Sequence, residues 1–295
     1  MKNILFTTLC FISLSAFTQK QITLTEDTLP MSKGTQTAFI VEIPQATLIE
    51  VEKHWLKYVS NGSKGKATVV NGENLQPAAV NKNISPNPFN VYSKLLETTE
   101  AVKLTSWFTQ NDTVFVSAQL NNDQDLAAQK YVRDFAIAEY QTAVKDELKG
   151  EQEKQKALEK ELANLIKEQE KSAKKISESN RAIQKSNDNI ATNNADIQSM
   201  SYKISDQKGM VERTAADANA NKGAKQTLKD LENQKKKIQS QNENENKNID
   251  SMNKTIREEE RKIADLKEKA NSKTAQIEQQ KQKVAEVQTK LDDIK

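Results

Sequence analysis

The chain has 295 residues, of which 29% are charged and 36% hydrophobic, with a formal net charge of +3. Residue types are so unevenly spread that one globular body is excluded. The basic and acidic residues alternate without forming an uncompensated basic face, which argues against nucleic-acid binding. All five prolines precede residue 89 and eleven aromatics lie between 19 and 140, whereas after Tyr140 the only aromatic is Tyr202. The first region can bury a core, and the second, rich in Lys, Glu, Gln, Asn and Ser, can bury only a narrow seam.

Residues 1–18 combine Lys2, an apolar run from Ile4 to Phe17 and small residues near Thr18. That is the layout of a cleaved signal peptide, too short to span a bilayer as a retained anchor. The protein is therefore expected to be exported, to the periplasm or the extracellular space, with no stable membrane anchor once the signal is removed. The single cysteine, Cys10, would leave with the signal, so no disulfide is expected. Residues 19–30 read as a linker.

The next region, 31–140, reads as a small α+β head. "TAFIVEIP" (37–44) is apolar, β-branched and ended by proline, which predicts a strand. In "TLIEVEKHWLKYVSNG", Thr47 and Glu50 form a capping box, and Leu48, Val51, Trp55 and Val59 recur at helical spacing. A helix is predicted from about Leu48 to Ser60, stopped by Asn61-Gly62. Strands follow at 66–70, 89–97, 102–109 and 113–120, the last two forming a hairpin across Gln110 to Asp112, and a second helix starts after Asn122 or Asp123. This order predicts a mostly antiparallel sheet with helices on one face.

Candidate chemistry in the head is thin. His54 is the only histidine, with no second His or Cys to complete a nucleophile-base pair. "GSKGK" (62–66) lacks phosphate-loop spacing, with Ala67 where a magnesium-binding hydroxyl would stand, so a basic turn is the better reading. No cluster has metal-ligand spacing. No catalytic residue, cofactor or metal is expected, and Trp55 and Trp107 are read as core side chains.

From 141 to 295 the chain reads as coiled coil. One heptad line runs Leu148, Gln155, Leu162, Gln169, Ile176, Ile183, Ile190, Ile197, Ile204 and Val211. A second, out of frame by three residues, includes Leu228, Ile249, Ile256 and Ile263, with Leu231 and Ile238 on its companion line. Both a stammer in a continuous rod and a helical hairpin accommodate the shift. In a hairpin the numbers of facing residues have a constant sum, and Val211 with Leu231, Ile204 with Ile238 and Leu148 with Ile294 all give 442. That midpoint falls in "NANKG", where Asn219, Asn221 and Gly223 suit a turn. The hairpin is the reading carried forward, with arms of roughly 105 Å and a turn near 219–223.

The segments "MSKG" (31–34), "VEIPQA" (41–46), "VEKHWLKY" (51–58), "SWF" (106–108) and "DFAIAEY" (134–140) give the chain a resemblance to a group of uncharacterised secreted proteins of Gram-negative bacteria. Those proteins pair a small α+β head with a long coiled coil, and the resemblance implies this architecture without transferring any site residue. Two expectations follow. One is a non-enzymatic structural or interaction protein, its head and stalk acting as spacer, tether or chaperone-like clamp. The other is a ligand- or peptide-binding module in the head, with the coiled coil serving oligomerisation. The sequence names no protein partner and leaves self-association through the coiled coil open.

Overall fold

The computed structural model describes residues 21–295. The signal-peptide reading of 1–18 lies outside the described residues. The chain divides into two compact units, one ending at Lys154 and completed by Gln280–Lys295, the other spanning Gln155–Gln279.

The first unit is built on seven antiparallel strands: β1 (Leu24–Met31), β2 (Gly34–Pro44), β3 (Thr68–Val70), β4 (Glu73–Ala79), β5 (Phe89–Glu97), β6 (Ala101–Gln110) and β7 (Val114–Phe115). Helix α1 (Leu48–Val59) follows β2, and two long helices, α2 (Asn122–Arg213) and α3 (Ala218–Asp292), follow the sheet. Most of the segment read as linker is strand, because Leu24 to Met31 pair residue for residue with Val41 to Gly34. A further strand, β4, arises where Asn71 and Gly72 both take positive φ, turning Val70 back against Glu73. The strand expected over 113–120 shrinks to Val114–Phe115. Leu120 and Asn121 instead donate backbone bonds to Ser117, in a turn leading into α2.

Sheet order is β1-β2-β6-β5-β4-β3, with β7 also on β6. Strand β6 keeps β5 on one flank over Val102–Thr109. On the other flank it pairs β2 over Ala101–Ser106 and then β7 at Thr109 and Gln110. The part of β2 before Phe39 therefore pairs with β1 alone.

Period-two alternation sorts the side chains onto two faces. One face carries Phe39, Val41, Ile43, Val91, Leu104 and Phe108, all buried. Helix α1 lies on it through Val51, Trp55 and Val59. Thr47 caps α1 as its sequence requires: its hydroxyl accepts the Glu50 backbone N–H at 3.4 Å and donates to the Glu50 carboxylate at 2.8 Å. The first turns of α2 add Ala128, Val132, Phe135 and Ala136, and Val287 of α3 and Ile294 just beyond its end join the same core. Among the described residues, no helix packs into the core on the opposite face. That face buries Ala38, Tyr92, Trp107 and Phe115 in a smaller cluster, against Leu29, Met31, Ile40 and Leu75.

The second unit is an antiparallel pair of helical arms, a hairpin. Cross-arm bonds join Asn193 to Asn242 at 2.8 Å, Asn189 to Glu245 at 2.8 Å, and Lys175 to Glu259 at 2.7 Å. The chain reverses at Thr214–Asp217, between α2 and α3, which corrects the turn placed at 219–223. Asn219, Asn221 and Gly223 lie in the first turns of α3. The physical reason is Asp217, whose carboxylate accepts the backbone N–H groups of Asn219 (3.0 Å) and Ala220 (3.2 Å) and so starts the helix ahead of them.

The pairing register moves with the turn. Val211 meets Asn221 and Gln207 meets Ala224, which centres the reversal at about residue 216. In the first unit the Ile294 carbonyl accepts from Gln141, one heptad before the Leu148 assigned to it. Heptad lines repeat every seven residues, so both registers satisfy the same apolar pattern, and the cap at Asp217 together with the cross-arm polar bonds favours the observed one.

Candidate functional site

Around the first core, the residues that could carry chemistry are engaged in packing. Trp55 is fully buried, its ring 4.9 Å from Phe135 in an edge-on contact. Tyr58 and Tyr131 stack at 4.4 Å, and each hydroxyl donates to the other's backbone carbonyl, at 3.3 and 3.1 Å. Burial drives the Tyr131 hydroxyl well above the usual tyrosine range. His54 places Nδ1 2.8 Å from the Glu139 carboxylate, linking α1 to α2.

The "GSKGK" segment is likewise a structural turn. The Gln76 side-chain amide donates to the Ser63 hydroxyl, to the Gly65 carbonyl and to the Pro77 carbonyl. A Cβ on Gly65 would stand 2.6 Å from the Pro77 carbonyl oxygen, so the glycine is there for close backbone approach.

The face without a helix has a different character. Glu73, only 1% exposed, accepts the Ser32 backbone N–H at 2.9 Å and its hydroxyl at 2.6 Å, and pairs with Lys94 at 3.2 Å. Lys94 in turn stands 6.0 Å above the Trp107 ring. Lys33 pairs with Asp112 at 3.5 Å, and Asp112 also accepts from Asn90 at 2.9 Å and from the Tyr92 hydroxyl at 3.1 Å. Burial works against the Asp112 charge. The hydrogen bonds from Asn90 and Tyr92 and the Lys33 ammonium outweigh it and hold the carboxyl below its ordinary value. Burial, reinforced by the Asp112 bond, pushes the Tyr92 hydroxyl up to about 12. The Trp107 indole N–H, under this network, is buried without an acceptor. Both tryptophans thus fill cores, one on each face.

Ser32, Glu73, Lys94 and Asp112 were not legible as a group. They sit on β4, β5 and two turns, and "NGEN" reads locally as a turn although its Glu73 begins a strand. A buried glutamate has no signature in one sequence.

Where β1 meets α2, Asp125 is 1% exposed and lies beside Glu26, with the Gln129 amide donating to both, at 2.7 and 3.3 Å. Burial first, then the Asp125 charge, raises the Glu26 carboxyl above its ordinary value. Among the described residues, no group of three or more His, Cys, Asp or Glu could hold a metal ion.

Along the helical arms, Leu148 and Ile204 are buried. Ile176, Ile183, Ile190, Ile197 and Val211 of α2, and Leu231, Ile238, Ile249, Ile256 and Ile263 of α3, are half-buried. Polar residues share the seam: Ser172, Ser186 and Glu259 are as buried as the aliphatic ones. The hydrogen bond and charge of Lys175 hold the Glu259 carboxyl below its ordinary value. Near the turn, Asn221 donates to the Val211 carbonyl at 2.8 Å, satisfying one of the last free carbonyls of α2.

No helix among the described residues is long and apolar enough to cross a membrane. No protein-family model matches the chain, and no curated protein matches it.

Proposed function

We propose that the protein is a non-enzymatic, exported interaction protein in which the sheet-bearing unit is the anchor point and the helical hairpin the spacer, tether or clamp. The observation that supports this reading most directly is the seam of the hairpin. Its facing positions are polar at Ser172, Ser186 and Glu259 and are joined by cross-arm bonds at Lys175 and Asn193. Such layers give up stability relative to leucine and favour one register, as suits an element whose arm length and alignment matter more than its strength. In the first unit His54, Glu139, Glu73, Lys94, Lys33 and Asp112 hold elements together, as suits a scaffold. The resemblance to secreted proteins with a head and a coiled coil, and the signal-like first residues, are what support an exported role.

Photo-crosslinking in the producing cell, from a reactive side chain at Lys222 near the turn and from another at exposed Leu96 on β5, tests the reading. A tether gives protein adducts from both positions. Adducts from Leu96 alone would replace this reading with a binding module in the sheet-bearing unit. Turnover of a small-molecule substrate by the purified chain would end it.

A further inference from the structure

The β1–β2 hairpin is held to the sheet in two unequal ways. From Phe39 to Pro44, β2 is bonded to β6. From Gly34 to Ala38 it pairs only with β1, and this end of the hairpin lies over the second sheet face. Three things keep it there: partly buried Leu29 and Met31 against Tyr92 and Trp107, the Ser32–Glu73 bonds, and the Lys33–Asp112 ion pair.

The polar fastenings reach solvent on one side, since the side chains of Lys33, Asp112 and Lys94 are 39%, 34% and 46% exposed. Beneath them the closed state carries a flaw. The indole N–H of Trp107 is buried and finds no protein acceptor, a cost recovered whenever the hairpin end lifts. Gly34, at φ +97°, provides the left-handed residue that follows the Ser32–Lys33 turn at this tip.

We propose that residues 29–38 form a strap that opens and closes over the Tyr92–Trp107 face while the rest of the sheet stays folded, with Glu73 as its principal latch. Lifting the strap breaks no bond of the β2–β6 ladder, because that ladder stops at Phe39. It uncovers Ala38, Tyr92, Trp107 and Phe115 together, the whole of the smaller core. Opening is then a local event of lower free energy than global unfolding.

The test is thiol labelling of the full chain with Cys10 replaced by serine and one reporter introduced. Ala38→Cys reports on the second face and Ala136→Cys on the helix-covered core, both 0% exposed. The strap predicts that the Ala38→Cys reporter reacts with a small disulfide reagent at least about 100-fold faster than the Ala136→Cys reporter, in buffer without denaturant. Adding Glu73→Gln should raise the first rate about 10-fold and leave the second unchanged. Equal rates with the same urea dependence, or no response to Glu73→Gln, would overturn the proposal. Should Ala38→Cys itself unfold the sheet, acrylamide quenching of Trp107 in the Trp55→Phe chain gives an independent reading. Quenching that rises on Glu73→Gln supports the strap, and unchanged quenching refutes it.

Discussion

Asn221 donates its side-chain amide to the backbone carbonyl of Val211 across the reversal of the chain, at 2.8 Å. With Asp217 capping α3 from the other side of the turn, this bond fixes where the arms meet. Asp217→Ala is expected to destabilise the hairpin by about 1 kcal/mol, the usual cost of a lost N-cap. Urea unfolding followed by helical circular dichroism should show it. A midpoint identical to that of the wild type would mean that another residue holds the turn.

Two glycines should respond in opposite senses. Gly223 lies in α3 with nothing within 4 Å of an added Cβ, so Gly223→Ala should stabilise the hairpin by about 0.5–1 kcal/mol. Gly65 has Pro77 at 2.6 Å, and Gly65→Ala should destabilise the first unit by about 1–3 kcal/mol. Thermal unfolding of both variants decides it. A loss of stability at Gly223 would restore that residue to the turn.

In the first core, Trp55 and His54 are neighbours in sequence with very different weights. Trp55→Ala removes a fully buried ring and should cost about 3–5 kcal/mol. His54→Ala removes a part-exposed contact to Glu139 and should cost less than about 1 kcal/mol. Chemical denaturation of the two variants checks the ordering.

Acid should act on two carboxyls with opposite sign. Asp112 titrates below its usual 3.8 in the folded chain, so its contribution is present above that value and is lost as pH falls through the lower folded pKa. Glu26 titrates above 4.5 when folded, so it favours folding when protonated and loses that advantage as pH rises through its folded pKa. Asp112→Asn should therefore reduce the loss of stability in strong acid, whereas Glu26→Gln should raise stability at neutral pH by less than about 1 kcal/mol after solvent screening. Melting temperatures of each variant against pH give both signs in one series.

Local rules made much of the fold legible. Thr47 and Glu50 announced α1, β5 emerged at 89–97 as expected, and the out-of-frame heptads announced the hairpin. The misses share a cause. β1 reads as linker because Glu26, Asp27 and Pro30 suit an exposed edge strand, whose partner is visible only in three dimensions. The turn was misplaced because Asn and Gly are strong local signals, while the N-cap role of Asp217 depends on where the opposite arm ends. The Glu73 latch joins residues 41 positions apart in sequence, beyond the reach of any local rule.

Ile294, buried in the same core as Val51 and Phe39, has a consequence for how the chain becomes a protein. The first unit is interrupted in sequence by the whole of the second and closes with Gln280–Lys295. A chain emerging N-terminus first could pair its seven strands early and would still wait for both long helices before its core was complete. Until then the groove for Val287 and Ile294 stays open to solvent and to other chains. The first unit therefore completes its core only with residues made after the reversal at Asp217.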